Sequence, residues 1–241
     1  MFQKIKKELL NLLFPPACIC CKKHLKKQKE YLICPPCLKN IKIKNKPLCF
    51  NCRNKKSSLR NCHPETRKLF SPTSYDNKKL EKIIKSLKYK KMLSALKPIK
   101  LILEKYFQKI NIEPFKNSTL IPIPLHPHKK RKRGFNQSLL ISRKVKEVIK
   151  NKKISIRIKK KLKKKKRTKS QTNLNYKERS KNIKDCFQVK KGVKIKRRKK
   201  LILVDDVCTT GSTLKESAQT LKKQGFAGVD FMTFSQRNTN P

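Results

Sequence analysis

The sequence predicts an α/β fold, a parallel sheet flanked by helices, preceded by a small cysteine-rich module. Three observations predict it. Strand-like and helical segments alternate from about residue 71 onward, the pattern of a layered α/β sheet. A continuous apolar run, Leu201-Ile202-Leu203-Val204, leads through two acids and a small polar turn into a helix. Three Cys-x-x-Cys pairs crowd into the first 52 residues.

The elements follow in chain order. Residues 4–13 mix Lys with Ile and Leu at helical spacing, and Phe14-Pro15-Pro16 ends that run, so 1–17 is predicted as an amphipathic helix. The cysteine module occupies 18–70 and includes an extended stretch, IKIK, at 41–44. The texture changes at Ser71-Pro72, and 71–241 is the α/β domain. Leu80, Ile83, Ile84 and Leu87 fit one face of a helix. Residues 93–107 predict another helix, with Pro98 as a break or a start. Leu120 to Pro124 reads as a short strand. A basic loop, HPHKKRKRGF, then leads into a helix carrying Ile141, Val145, Val148 and Ile149. Residues 152–170 alternate early (ISIRIKKKL) and predict a strand followed by a solvated loop. Residues 171–182 are polar and predict a mobile loop or short helix, and VKIK at 193–196 reads as a strand. After the apolar run, a helix is expected from about Thr213 to Gln224, with Leu214, Ala218 and Leu221 in register. Thr213 and Glu216 fit a capping box and Gly225 a C-terminal stop. Val229 to Phe234 predicts the last strand.

Composition narrows the function classes. The 67 basic and 14 acidic residues give a formal charge of +53 in 241 residues. That balance permits binding to a polyanion such as single-stranded DNA. Lysine is spread through every segment rather than gathered on one element, so charge alone does not locate a partner. The Lys-rich 152–169 run contains no aromatic residue and reads as a solvated face rather than a stacking surface. No run of about 18 apolar residues exists, so no transmembrane helix is expected. The N-terminus lacks the apolar core and cleavage site of a signal peptide, and a cytoplasmic location is the expectation.

Cysteine spacing carries the next inference. Two thiolates three residues apart on a tight turn can both point at one tetrahedral ion, and a second such knuckle completes the shell. Cys18, Cys21, Cys34 and Cys37 form one complete set and predict a structural Zn²⁺ site. Cys49 and Cys52 form a third knuckle, but Cys62 is followed three residues later by Glu65 rather than Cys. A second site then draws its fourth ligand from His63 or His24, or has been lost. Cys186, far downstream, reads as a small buried residue.

The segment LILVDDVCTTGSTLKESA carries the candidate chemistry. Asp205 and Asp206 stand at the carboxyl end of a buried strand, where ligands bind in open α/β sheets. Thr209, Thr210, Gly211, Ser212 and Thr213 supply hydroxyls and backbone N–H groups at a helix N-terminus, a cradle for phosphate. Adjacent carboxylates accept hydrogen bonds from the two hydroxyls of a ribose. The combination fits a sugar phosphate better than bare phosphate. Neither GxxxxGK[ST] nor GxGxxG is present, which excludes the two common nucleotide loops.

These residues also carry a resemblance. VDDVCTTGST resembles the phosphoribosyl pyrophosphate (PRPP) motif of type I phosphoribosyltransferases. LIPIPLHPHKKRKRGFNQS and RTKSQTNLNYKERSKNIKDCF resemble two further segments of one branch. With the FPPAC that opens the Cys-rich N-terminus, the chain resembles the ComF family (ComFC-like) along nearly its whole length. The resemblance implies a type I phosphoribosyltransferase-like parallel sheet behind a zinc ribbon. It implies that Asp205 and Asp206 hold the ribose of PRPP and that 209–213 cradle its 5-phosphate, with Mg²⁺ accompanying the ligand. Arg133, Gly134, Asn136 and Gln137 would face the pyrophosphate, as would Lys88 of a Lys-Tyr pair with Tyr89. Gln171, Arg179 and Asn182 would lie in a flap. His126 and His128 are either phosphate donors or strand terminators. The function implied is phosphoribosyl transfer to an acceptor, linked to DNA uptake in natural competence. The rival is a non-catalytic adaptor that binds single-stranded DNA and other competence proteins and keeps PRPP as a sensed ligand.

Overall fold

The computed structural model describes residues 15–25, 32–51, 67–166, 183–192, 200–226 and 228–237. The expected N-terminal helix, the 171–182 segment and the strand at 193–196 lie outside the described residues.

One seven-stranded sheet organises the chain. Strands β8 (Leu201–Cys208) and β9 (Val229–Gln236) form its centre, parallel from Leu201↔Val229 to Cys208↔Gln236. Strand β4 (Thr119–Pro122) lies parallel to β8, and β5 (Arg157–Ile158) parallel to β4. Strands β2 (Lys68–Phe70) and β3 (Thr73–Ser74) both pair in parallel with β9, and β1 (Leu48–Cys49) adds an antiparallel edge on β2. The expected boundary between 70 and 71 thus falls between two strands of one sheet. Asp230 ties the β2 side down by accepting from the Lys68 backbone N–H at 2.9 Å.

The period-two alternation of the central strands builds two cores. Ile202, Val204, Met232 and Phe234 pack against the helices Lys78–Lys88, Leu96–Lys109 and Gln137–Lys150. Leu201, Leu203, Val229 and Phe231 pack on the other face against the helix Ser212–Lys222. Cys18, Leu25, Ile33, Cys37 and Ile41 join the first core, so the cysteine module docks on the helices of that face. A separate antiparallel pair, β6 (Leu162–Lys164) with β7 (Phe187–Val189), lies off the main sheet.

The helices start where local chemistry lets them. The Asn77 side chain accepts from the Lys79 N–H and caps Lys78–Lys88. Pro98 sits in the first turn of Leu96–Lys109, where its missing N–H costs nothing.

Several expectations are corrected. The basic HPHKKRKRGF segment is not a loop: Pro127–Arg133 is helical. It carries no apolar stripe, but it is bracketed by Pro127 at its start and by Gly134, left-handed at φ 87°. His126 caps it through Nδ1, which accepts from the His128 N–H. The IKIK stretch at 41–44, expected only to be extended, joins no sheet; Ile41 is buried and the Lys44 N–H donates to the Pro72 carbonyl at 2.9 Å. The capping box is absent: Gly211, at φ 82°, takes the N-cap position, and Glu216 accepts from the Asp185 N–H instead. Gly225 is left-handed just past the helix, as expected. Strand β8 runs through both acids to Cys208 instead of ending at Val204.

Candidate functional site

The two acids are seated inside the sheet end rather than displayed on it. Asp205 is 9% exposed and Asp206 4%. Asp205 Oδ1 accepts from Ser138 Oγ at 2.8 Å and from the Asp206 N–H at 2.9 Å. Asp206 Oδ1 accepts from the Val207 N–H at 2.8 Å. Asp206 Oδ2 pairs with Lys88 Nζ at 2.5 Å, yet makes no hydrogen bond among the described residues. A buried carboxylate oxygen therefore keeps accepting capacity, as a ribose hydroxyl requires.

Three cations from three elements face this pair. Lys88 ends the Lys78–Lys88 helix, Arg133 ends the basic helix, and Lys164 ends β6. Burial pushes Lys88 down to about 8, against the attraction of Asp205 and with help from Arg133. Burial likewise pulls Lys164 down to about 8, opposed by Cys186 and Asp205 and reinforced by Lys129. Arg133 is lowered by burial, and Tyr89 and Asp205 oppose that shift. Its guanidinium lies 5.9 Å from the Tyr89 ring centroid. Burial holds Asp205 above the usual carboxylate range, against Lys88, the Ser138 hydrogen bond, Lys164 and Arg133. Cations gathered beside buried carboxylates, with pKa values displaced by burial, are the kind of cluster found at ligand sites.

The turn after β8 presents the second half. Gly211 lets the chain reverse into the helix without a Cβ penalty. Thr210 Oγ1 and Ser212 Oγ lie 2.9 Å apart, and the Ser212 N–H donates to Thr210 Oγ1. The first N–H groups of Ser212–Lys222 lack intrahelical partners by construction and add the positive end of the helix dipole.

The GFNQS segment works one layer out. The Asn136 side chain caps Gln137–Lys150 and donates through Nδ2 to the Ile123 carbonyl at 2.9 Å, fixing that helix on the end of β4. Gln137 accepts from Arg133 Nη1. Gly134 closes the basic helix. Asp205, Asp206, Lys88 and Arg133 are thus brought together, while Gly134, Asn136 and Gln137 hold the frame. Gln171, Arg179 and Asn182 lie outside the described residues. Sequence reasoning did not single out Ser138 or Lys164. Ser138 closes the quoted GFNQS motif, whereas Lys164 is hidden in an unbroken lysine run. Ser138→Ala removes one of the two hydrogen bonds that Asp205 Oδ1 accepts and leaves it the Asp206 N–H, and a loss of about 1–3 kcal/mol in folding stability is expected from urea titration.

The zinc centre is separate. The sulfurs of Cys18, Cys21, Cys34 and Cys37 all lie within 4.8 Å of one another, and Cys21 and Cys34 are 3.6 Å apart. Tetrahedral Zn–S bonds of about 2.3 Å put sulfurs about 3.8 Å apart, so the four fit one ion. Burial opposes ionisation of Cys18, but backbone hydrogen bonds at Cys21, Cys34 and Cys20 outweigh it and bring its thiol down to about 6. Cys49 is buried in β1 and His24 is exposed on a short bridge with Ala17. Cys52, Cys62 and His63 lie outside the described residues.

The family model for a phosphoribosyl transferase domain matches residues 89–240. The chain belongs to the phosphoribosyl transferase domain family. A double zinc ribbon domain matches residues 9–64, in accord with the four-cysteine cluster. This phosphoribosyl transferase domain protein is homologous to Competence protein F of Haemophilus influenzae, 32% identical over 106 residues, 44% of each chain. DNA utilization protein YhgH of Escherichia coli (strain K12) is 31% identical over 110 residues, 46% of this chain and 45% of that one. The matched span is under half the length of these curated relatives. A hypoxanthine phosphoribosyltransferase structure from Staphylococcus aureus aligns over 59% of this chain and 67% of its own, at 14% identity and a TM-score of 0.35. No helix among the described residues is long and apolar enough to cross a membrane.

Proposed function

We propose that this protein binds PRPP at the carboxyl end of β8 and transfers its phosphoribosyl group to an acceptor, in the cytoplasm and in the service of DNA uptake. The observation that carries the proposal is the buried Asp205–Asp206 pair facing Lys88, Arg133 and Lys164, with the Thr/Gly/Ser turn beside it. Asp205 and Asp206 accept from the ribose hydroxyls. Residues 209–213 take the 5-phosphate, and the cations take the pyrophosphate. In transfer, the C1–O bond to pyrophosphate breaks and the leaving group keeps the electron pair. The acceptor's nucleophilic atom bonds to C1 and gives up its proton. Cations held at the leaving group in a dry site stabilise the charge that develops there. Mg²⁺ accompanying the ligand would neutralise part of that charge, held by the ligand's phosphates rather than by a dedicated set of protein carboxylates. The link to DNA uptake rests on the names of Competence protein F and YhgH.

The adaptor reading has an observation of its own. Tyr89 is 61% exposed, beside Arg133 and followed by Lys90 and Lys91. An exposed ring among cations is a surface on which the bases of single-stranded DNA stack.

Calorimetric titration of PRPP with Mg²⁺ at moderate salt tests the binding, with ATP and pyrophosphate as controls. Saturable one-site binding of PRPP, at least tenfold tighter than ATP, is expected. Equal, weak and steeply salt-dependent binding of all three would reduce the site to general charge attraction. Pyrophosphate release on adding candidate acceptors separates transfer from sensing.

A further inference from the structure

Five thiols fall between Cys18 and Cys37, and their surroundings are unequal. Three of the four cluster members, Cys18, Cys34 and Cys37, are buried at 0%, 8% and 6% exposure, whereas Cys21 is exposed. Cys18 Sγ also accepts from the backbone N–H groups of Cys20 and Cys34, both at 3.4 Å. Cys20, outside the cluster, is half-buried, and its Sγ is turned to the Lys79 carbonyl at 3.9 Å. Cys21 is thus open to solvent while its Sγ belongs to the cluster, 3.6 Å from Cys34 Sγ.

Cysteines that ligate a metal do so as thiolates, and oxidation of a thiolate follows its exposure. Burial bars an oxidant from three of the four sulfurs. Backbone N–H donors draw charge off one of those three as well. Cys21 is left as the one cluster sulfur with both a nucleophilic charge and an approach from water. A second cluster sulfur already stands beside it, and a disulfide of about 2.05 Å requires the Cys21 and Cys34 sulfurs to close by about 1.5 Å.

We infer that Cys21 is an oxidative modification site, the point at which hydrogen peroxide opens the zinc centre, with Cys34 closing a disulfide on it. The inference is independent of the PRPP reading. Cys21 Sγ attacks one peroxide oxygen, the O–O bond breaks, and hydroxide leaves a sulfenic acid behind. Cys34 Sγ attacks that sulfur and expels a second hydroxide. The two thiolates lose two electrons in all, and the peroxide is reduced to two hydroxides. Cys18 and Cys37 alone do not complete a tetrahedral shell, so the module gives up its ion. With it goes the grip on the helix Lys78–Lys88, made by Lys82 Nζ on the Cys20 carbonyl at 3.1 Å and by the core shared with Leu80, Ile83 and Leu87. A dithiol reductant returns both thiolates, so the change is reversible.

The test treats the zinc-loaded full chain with hydrogen peroxide, traps sulfenic acid with dimedone, maps disulfides by peptide mass spectrometry and counts released zinc with a chromogenic chelator. Dimedone should label Cys21 at least tenfold more than Cys18, Cys20, Cys34 or Cys37. Without the trap, Cys21–Cys34 should be the main disulfide, with one zinc ion leaving per bond formed. Amide exchange along Lys78–Lys88 should quicken at least tenfold, and a dithiol reductant with added zinc should reverse it. Cys21→His keeps a donor set of three cysteines and one histidine and should lose zinc to peroxide at least tenfold more slowly. Cys20→Ser should match wild type. If Cys21→His fails to load zinc, the label and the bond map of the wild-type chain decide alone. Equal labelling of the four ligands, or a main disulfide that omits Cys21 or pairs it with Cys20, overturns the inference. Zinc retained while Cys21 is oxidised overturns it too, because the ion would then not depend on that thiolate. PRPP enters none of these readouts, so failure here leaves the ligand reading standing.

Discussion

Replacing Asp205 and Asp206 together with Asn should weaken PRPP binding by at least about 100-fold. Two charge-assisted hydrogen bonds to ribose hydroxyls are each worth about 1.5–3 kcal/mol, and about 1.4 kcal/mol is a factor of ten. The loss is specific because the other contacts survive. The phosphate turn remains, as do Arg133 and Lys164, so pyrophosphate should keep most of its affinity. The fold should survive as well. Removing one partner of a buried ion pair is costly when the other stays charged. Lys88, whose amine burial already holds near 8, escapes that cost by losing its proton. Asp205 is what raises the Lys88 pKa against burial, so taking away the carboxylates lowers it further and brings the neutral form within easier reach. Calorimetry on the double variant with PRPP and pyrophosphate in parallel decides the matter. Unchanged PRPP affinity would remove ribose recognition from this strand end.

The same residues mark what a sequence makes legible. A four-residue apolar run ending in two acids is readable because few environments tolerate it: only a strand buried on both faces accepts Leu201 to Val204 in succession. The helix at 78–88 is readable for the analogous reason, since Leu80, Ile83, Ile84 and Leu87 must share a face. The helix at 127–133 hides because it buries nothing, and only its proline and glycine ends mark it. Thr213 and Glu216 match a capping box in sequence and do not form one in space. The chain must reverse sharply after β8, and Gly211 supplies the left-handed turn that takes the cap position. Lys164 was invisible because one lysine within KLKKKK carries no local signal that sets it apart from its neighbours. Its distinction is tertiary, made by Asp205 some 41 positions away in the chain.

Stripping zinc should do more than loosen the N-terminal module: it should also weaken PRPP binding, although the sulfurs touch no ligand. Zinc binding at such sites is worth about 10–16 kcal/mol in zinc-finger peptides at neutral pH, and that energy is folding energy. Without the ion, burial pushes the Cys34 and Cys37 thiols up, so the set cannot stay ionised and must open or protonate. Cys18, Cys34 and Cys37 share a core with Leu80, Ile83 and Leu87, so opening the module uncovers the Lys78–Lys88 helix. Two contacts tie them directly: Lys82 Nζ donates to the Cys20 carbonyl at 3.1 Å, and Cys20 Sγ to the Lys79 carbonyl at 3.9 Å. That helix ends at Lys88, which pairs with Asp206. Metal and ligand site are thus joined through one rigid element whose last residue is a site cation, the kind of physical link that coupling between distant sites requires. Cys37→Ser, with zinc counted by a chromogenic chelator, should lower the melting temperature by more than about 5 °C, the shift that roughly 1–2 kcal/mol gives in a chain of this size. PRPP affinity should fall several-fold in the fraction that remains folded. Full PRPP affinity in a folded, zinc-free chain would show that the helix holds Lys88 in place unaided, and the module would then be a docking unit with no hold on the site.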